Sequence, residues 1–372
     1  MHKIGITGQS GFIGTHLYNT LALYPNQYER IEFRKEFFES ESDLDKFVCQ
    51  CDTIVHLAAM NRHNSEAFIY KTNMQLVDNL IASLNRTKSR AHIVFSSSSQ
   101  EERDNSYGRS KKEGREHLIK WAEKSGGNVT GLVIPNVFGP FGVPDYNSFI
   151  ATFCYKLTHG GEPQIHADAT VKLIYVGELV AEILSKIKSA VKEPIFRVPH
   201  TIEIKVSEVL ERLERYKVQY FDNGQIPILD TSFDRNLFNT YRSYIDPKSH
   251  FPVEFTQHND NRGSFVEIIR MGIGGQVSFS TTLPRITRGN HYHTRKIERF
   301  AVIRGKAKIS LRKIGTDEII SFELDGKKPA YVDMPVWYTH NIENIGEEVV
   351  YTNFWISEPY DPNDPDTYFE NV

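Results

Sequence analysis

Cysteine is scarce in this sequence: Cys49, Cys51 and Cys154 are the only three among 372 residues. An odd number this small excludes a disulfide framework and points to a reducing compartment. Cys49 and Cys51 have no third ligand nearby in sequence and read as ordinary thiols. An excess of one charge is missing as well, because 44 Lys and Arg face 47 Asp and Glu, for a net −3 at pH 7. That balance excludes bulk attraction to nucleic acid or to an anionic membrane, and neither partner is expected. Long apolar runs are absent, since stretches such as residues 300–303 reach only four residues and none spans a bilayer. Met1-His2-Lys3 leads straight into a structured motif, so no signal peptide is expected and the chain is expected in the cytoplasm. What is present is an ordinary globular composition, 40% hydrophobic and 24% charged. At roughly 150 residues per domain, the length allows two or three domains.

Up to about residue 200, strand-like runs alternate with helix-like stretches, the rhythm of a parallel sheet covered on both faces. Residues 3–7, 29–33, 53–57, 92–96 and 131–134 read as strands. Residues 12–24, 66–84 and 107–124 carry apolar side chains at helical spacing. After Arg242 the texture changes. Pro247, Pro252 and Gly263 mark a connection, and from there short β-branched or aromatic runs at 275–280, 300–304, 306–312, 319–323, 330–333 and 348–355 are separated by turn residues. The spacing predicts an α/β doubly wound parallel sheet over 1–245, followed by an all-β sandwich or barrel over 252–372.

Three features in the first part carry chemistry. Thr7-Gly8-Gln9-Ser10-Gly11-Phe12-Ile13-Gly14 lies between the first strand and the first helix, where glycines let backbone N–H groups and a helix N-terminus approach a pyrophosphate. About twenty residues further on stand Arg34 and Lys35, where an NAD site carries an acid, and basic residues there favour the 2′-phosphate of NADP. Tyr107 and Lys111, four apart on one helix face, let an ammonium hold a phenol pKa down from about 10 toward neutrality. Such a phenol exchanges a proton with a carbonyl while hydride moves. Taken singly, each has a plain structural reading as a turn, a solvated basic pair or a helix surface. The run Phe95-Ser96-Ser97-Ser98-Ser99 ends a predicted strand at the carboxyl edge, where open α/β sheets bind ligands.

Together with His56-Leu57-Ala58-Ala59 and Pro135-Asn136-Val137-Phe138-Gly139, these motifs make residues 1–240 resemble the extended short-chain dehydrogenase/reductase family, which acts mostly on nucleotide sugars. The resemblance implies a Rossmann-type fold with NADPH held by Gly8, Gly11, Phe12, Ile13, Gly14, Arg34, Leu57 and Ala58. It also implies Tyr107 as proton donor, Lys111 as its tuner and ribose contact, and Ser98 on the substrate oxygen. The interval from Ser98 to Tyr107 is short, which leaves open which serine of 96–99 points inward. Asn136, Asn147 and Lys172 fall where relatives touch the nucleotide sugar. Gln100, Glu101 and Glu102 do not reproduce the Thr-Asp-Glu pattern of the family's dehydratases, so carbonyl reduction is implied, and Glu101 and Glu102 are expected on a solvated loop.

In the second part, His291 and His293 share one face of a strand, and Glu298 and His340 complete an N3O set suited to Zn²⁺, Fe²⁺ or Mn²⁺. With Gly305, Pro335 and Asn344 they resemble the cupin motifs HxHx4Ex6G and PxGx2Hx3N, which implies a jelly roll with a divalent metal, Zn²⁺ first. Trp337 takes the glycine position of the second motif and is expected to narrow the pocket or alter the approach of His340. Asp260-Asn261-Arg262-Gly263-Ser264-Phe265-Val266-Glu267 is similar to a segment of cupin-type deoxysugar epimerases, which implies Arg262 on the nucleotide phosphates. The two halves together resemble a family of bifunctional capsular-polysaccharide enzymes. That implies a homodimer acting on a UDP-linked 2-acetamido-2,6-dideoxy-4-hexulose, inverting C3 in the cupin and reducing C4 with NADPH, toward UDP-N-acetyl-L-fucosamine. Tyr292 and Lys296 stand beside the metal motif as candidates for the C3 base. A cupin serving only as a metal-stabilised dimerisation or sensing module is the alternative.

Overall fold

The computed structural model describes residues 1–189, 191–260, 263–266, 268–269, 274–358 and 361–372. It divides into two compact units, Met1–Ile150 with Ala167–Val206, and Ala151–His166 with Ser207–Val372.

The first unit is built on β1 (His2–Thr7), α1 (Phe12–Ala22), β2 (Tyr28–Ile31), α2 (Glu41–Gln50), β3 (Thr53–His56), α3 (Glu66–Thr87), β4 (His92–Ser98), α4 (Ser106–Ser125) and β5 (Asn128–Ile134). Its six-stranded sheet runs β2-β1-β3-β4-β5 and closes on Glu193–Arg197, with every pairing parallel. β3 is buried at all four positions, which is why these strands read as apolar runs and not as alternating ones. Leu44, Phe47, Leu80, Leu84, Leu118 and Trp121 pack one face, and Leu17, Leu21, Leu179, Ile183 and Ile187 the other. Chain order reverses between β1 and β3, so the crevice at their carboxyl ends is the expected ligand site.

Two histidines are buried in this sheet. His56 bonds the Thr7 hydroxyl at 2.7 Å and stacks on Phe95, while His92 bonds the Thr130 hydroxyl at 2.9 Å. Burial pulls them down to about 3 and about 4. Both are neutral in the fold, whereas in the unfolded chain each takes up a proton near pH 6.5. The stability they contribute is therefore complete above that pH and drains as pH falls toward 4, at up to about 1.4 kcal/mol per pH unit for each group. Urea unfolding at pH 7, 6 and 5 is expected to show this loss, with a shallower slope in His56→Gln.

The second unit sandwiches two five-stranded sheets. One orders Val253–Glu254, Ala330–Met334, Glu298–Arg304, Val350–Ile356 and Gln276–Thr282; the other orders Ile319–Asp325, Lys306–Lys313, Tyr338–Asn344, Thr287–Tyr292 and Tyr368–Phe369. Ala301, Ile309, Leu311, Val332, Ile342 and Val350 form part of its core. The doubly wound sheet and the jelly roll read from the sequence are both present.

Compactness divides the chain at points other than the texture change near residue 245, because the helical stretch after Val206 is bound to the β-sandwich by a buried polar network. Arg299 forks Asp333 at 2.8 and 3.0 Å, the Tyr220 phenol donates to Asp333 at 2.5 Å, and Arg242 donates to the Tyr220 oxygen at 3.2 Å and to the Met334 carbonyl at 3.1 Å. Removing one partner of such a buried pair costs about 3–5 kcal/mol. Among the described residues, no helix is long and apolar enough to cross a membrane.

Candidate functional site

The glycine loop follows β1. Gly8 has φ +78°, and a Cβ there would lie 2.9 Å from the Ala58 nitrogen; a Cβ on Gly14 would lie 2.2 Å from the Gly8 oxygen. Only glycine lets the loop fold beneath α1 and against Leu57-Ala58. Gly11 caps α1 without a side-chain hydrogen bond, so the first helical N–H groups at Phe12 and Ile13 are not taken by a cap. Gln9 accepts from the Phe33 nitrogen at 3.4 Å and ties the loop to the end of β2. There Arg34 projects into solvent, paired with exposed Glu32 at 2.8 Å. An exposed pair of this kind is worth little and yields readily to a phosphate.

The serine run divides by strand alternation. Ser96 donates to the His56 carbonyl at 3.1 Å and accepts from the Lys111 ammonium at 3.2 Å. Ser97 points the other way, donating to Glu101 at 2.7 Å. Ser98, half-buried at the strand end, shares the Ser96 face and accepts from the Gln100 nitrogen at 3.1 Å. Ser99 is exposed at the start of a 3-10 turn. Lys111 lies 5.8 Å from the centre of the Tyr107 ring and 5.1 Å from that of Phe95, one helical turn from Tyr107, as the spacing predicts.

The electrostatics differ from the expected pairing. Burial, with Tyr146 adding to it, pushes the Tyr107 phenol up to about 12, and burial pulls Lys111 down to about 7. Desolvation of both groups outweighs the help the ammonium was expected to give the phenol.

Glu101 is also not solvated. It is buried against Arg115 at 3.0 Å, with both side chains 6% exposed, and only Glu102 is an exposed surface residue, paired with Arg197 at 2.8 Å. Asn136 donates to the Lys172 carbonyl at 3.4 Å, which brings two of the expected sugar contacts together, whereas Asn147 is exposed in the turn before the helix Phe149–Thr158. Arg262 lies outside the described residues.

In the second unit, one atom each from His291, His293, Glu298 and His340 converge, all within 4.8 Å of one another. The Glu298 Oε2 oxygen lies 3.0 Å from His293 Nε2, 3.0 Å from His340 Nε2 and 3.8 Å from His291 Nε2. For comparison, the edge of a tetrahedron with bonds of about 2.1 Å is about 3.4 Å. His293 Nδ1 faces the Asp366 carbonyl and His340 Nδ1 the Tyr338 carbonyl, so each Nδ1–H donates outward and the Nε2 lone pair turns inward. Although 3.0 Å from Glu298, the buried His293 Nε2 makes no hydrogen bond of acceptable angle. Burial keeps His340 below the usual imidazole range. Burial alone would raise Glu298, but its three imidazole neighbours outweigh that and hold it well below the usual carboxylate range. Against the pull of burial, Glu298 raises His293, and three imidazole nitrogens converging with one carboxylate oxygen in a buried pocket form a donor set that fits a divalent cation.

Trp337 does not narrow this pocket. It adopts the left-handed backbone, φ +63°, that the motif's glycine would supply, at a cost of about 1–3 kcal/mol. Its backbone N–H donates to the His293 carbonyl at 2.8 Å and its indole stacks on Tyr292, which alternates along the strand with His291 and His293. Tyr292 is held between Trp337 and Tyr368, and the buried Lys296 ammonium donates to the Pro365 carbonyl at 3.0 Å. Neither candidate base points into the cluster. Asn344 is structural, donating to the Thr282 and Glu348 carbonyls. Asp366 was not singled out from the sequence. It sits in the tail, and nothing in its neighbourhood of the chain tells which strand it will reach.

Residues 4–197 match the NAD dependent epimerase/dehydratase family, and residues 258–368 match the polysaccharide biosynthesis C-terminal domain. Over 372 residues, 98% of either chain, the sequence is 32% identical to UDP-2-acetamido-2,6-beta-L-arabino-hexul-4-ose reductase of Pseudomonas aeruginosa. Over the whole of both chains the structure resembles the capsular polysaccharide assembling protein CapF of Staphylococcus aureus, at 36% identity and a TM-score of 0.63. RMD of Pseudomonas aeruginosa, solved with NADPH, shares the fold at 19% identity and a TM-score of 0.53, over 59% of this chain and 82% of that one.

Proposed function

The chain belongs to the NAD dependent epimerase/dehydratase family and, with its polysaccharide biosynthesis C-terminal domain, to the family of CapF; from that premise we propose a bifunctional enzyme of capsule or O-antigen sugar synthesis. It carries out NAD(P)-dependent reduction of a UDP-linked ketosugar, and NADPH is the nucleotide the basic Arg34 favours. Its second activity is C3 epimerisation of a UDP-2-acetamido-2,6-dideoxy-4-hexulose before C4 reduction, toward UDP-N-acetyl-L-fucosamine. Residues 1–245 serve the reduction and 252–372 the epimerisation.

The glycine loop would hold NADPH, which would supply the hydride for C4. Tyr107 gives the C4 oxygen its proton, Lys111 holds the ribose, and Ser98 bonds the same oxygen, so that ketone becomes alcohol. Asn136, Asn147, Lys172 and Arg262 are the proposed nucleotide-sugar contacts. In the second unit, His291, His293, Glu298 and His340 hold the metal, Zn²⁺ by its fit to an N3O set. A divalent cation, when bound, supplies positive charge that makes a C–H beside a carbonyl easier to ionise. The observation that carries the reductase reading is the placement of Tyr107, Lys111 and the Ser96–Ser98 face at the same carboxyl edge as the glycine loop.

A homodimer is supported by the strand Gln276–Thr282, which among the described residues pairs on one side only and exposes Val277 and Phe279, the latter 72% accessible. A cytoplasmic location suits the three free thiols. The experiment is nucleotide consumption with the UDP-linked 4-ketosugar. NADPH is expected to be used in preference to NADH, with the preference reduced or reversed in Arg34→Asp; equal use of both by the native protein contradicts the assignment of Arg34.

A further inference from the structure

The last nine residues hold the metal cluster from behind. The strand Tyr368–Phe369 pairs with the metal-binding strand, Phe369 opposite His291 and Tyr368 opposite Tyr292. The Glu370 nitrogen donates to the Asn290 carbonyl at 3.0 Å, and the Glu370 carbonyl accepts from the hydroxyl of Thr339, the neighbour of His340. Just before that strand stands Asp366, which is buried and has a left-handed backbone, φ +39°. That conformation is uncommon outside glycine, and aspartate is among the residues that tolerate it best.

It lets one residue reach two places. The Asp366 carbonyl accepts from His293 Nδ1. Its carboxylate meanwhile collects the turn that leaves the metal strand: Oδ1 takes the Thr294 nitrogen at 3.0 Å and hydroxyl at 2.6 Å, and Oδ2 takes the nitrogens of Arg295 at 3.0 Å and Lys296 at 2.9 Å. Three successive N–H groups turned toward one carboxylate form a backbone nest that the side chain fills. The turn between His293 and Glu298 is thus fixed by a residue some seventy positions away.

We propose that Asp366 is a positioning residue of the metal centre, and that the C-terminal segment is a clasp that presets His293 for metal binding. The inference rests on the metal-centre reading above and adds to it a source of affinity outside the four ligands. Without the carboxylate, the three N–H groups lose their acceptor and the turn is released. The carbonyl then no longer meets Nδ1, and His293 is free to adopt the other tautomer or rotate out of the cluster. Outer partners of ligating histidines typically carry about 10–100-fold in metal affinity.

The test uses the full chain, stripped of metal and titrated with Zn²⁺ against a chromophoric chelator, and with Co²⁺ followed by its visible absorption. The native protein is expected to take one ion per chain. Asp366→Ala is expected to bind about 10–100-fold more weakly with an altered Co²⁺ spectrum, and Asp366→Asn, which keeps one acceptor oxygen, to fall between. Cooperative thermal melting of each metal-free variant checks the fold. A native protein that takes up neither ion overturns the metal centre itself. A native protein that binds one ion, beside a folded Asp366→Ala of equal affinity and unchanged spectrum, overturns the clasp alone. If neither variant folds, ¹⁵N-histidine spectra of the metal-free native protein decide: the Nδ1–H tautomer at His293 supports the clasp, and the Nε2–H tautomer contradicts it.

Discussion

Tyr107→Phe lowers the rate of NADPH consumption with the UDP-linked 4-ketosugar by about 100- to 10,000-fold, the range that a positioned general acid supplies. The substitution keeps the ring and removes only the oxygen, so the helix Ser106–Ser125 and its Asn105 cap are unaffected. Nucleotide binding is therefore expected to survive, because the glycine loop, Leu57-Ala58 and Arg34 lie on other elements; a fluorescence titration with NADPH checks this. Loss of rate with unchanged NADPH affinity assigns Tyr107 to the proton, whereas a native-like rate removes it from the mechanism. The pH profile carries a second sign. Lys111, drawn down to about 7 by burial, is charged below that pH and neutral above it. If the ammonium serves the reaction, kcat/KM falls on the alkaline side of about 7, and Lys111→Met removes that limb together with most of the activity.

Glu298→Gln is expected to abolish proton exchange at C3, with a loss no smaller than the ~100-fold that outer partners of metal ligands reach. The carboxylate is the one anionic member of the cluster and stands within 3.8 Å of three imidazole nitrogens, so neutralising it removes the charge that draws a cation into a buried site. Reduction of a sugar already inverted at C3 depends on residues of the other unit and is expected to persist. Prolonged chelation of the native protein should reproduce the same split, and added Zn²⁺ should restore exchange in the native protein but not in the variant. A variant that exchanges C3 at the native rate would place the epimerisation elsewhere.

Much of this was legible in the sequence because it depends on short spacings. The glycine loop, Tyr107 with Lys111, and His291 with His293 are each set by one element's geometry. Fully buried strands such as Thr53–His56 announce a parallel sheet by composition alone. Where the sequence fell short, the deciding partner is distant. Glu101 reads as solvated until Arg115, on the next helix, comes back over it. Asp366 meets its partners only once the tail pairs with the strand of His291, and the helices after Val206 belong with the β-sandwich because Tyr220 and Arg242 reach Asp333 and Met334. The electrostatics of Tyr107 and Lys111 escape the sequence for a related reason. Spacing along a helix says nothing of how deeply the sheet and the loops around it bury both groups.

The central claim is that one chain both inverts C3 and reduces C4. It is tested most directly by incubating the metal-loaded, full-length protein with the UDP-linked 4-ketosugar in deuterated water without NADPH, and reading C3 by NMR or mass spectrometry. The account predicts deuterium at C3, dependent on the metal and lost in Glu298→Gln. A folded, metal-loaded protein that leaves C3 fully protiated, yet consumes NADPH once it is added, would contradict the epimerase and leave the second unit as a metal-stabilised dimerisation or sensing module.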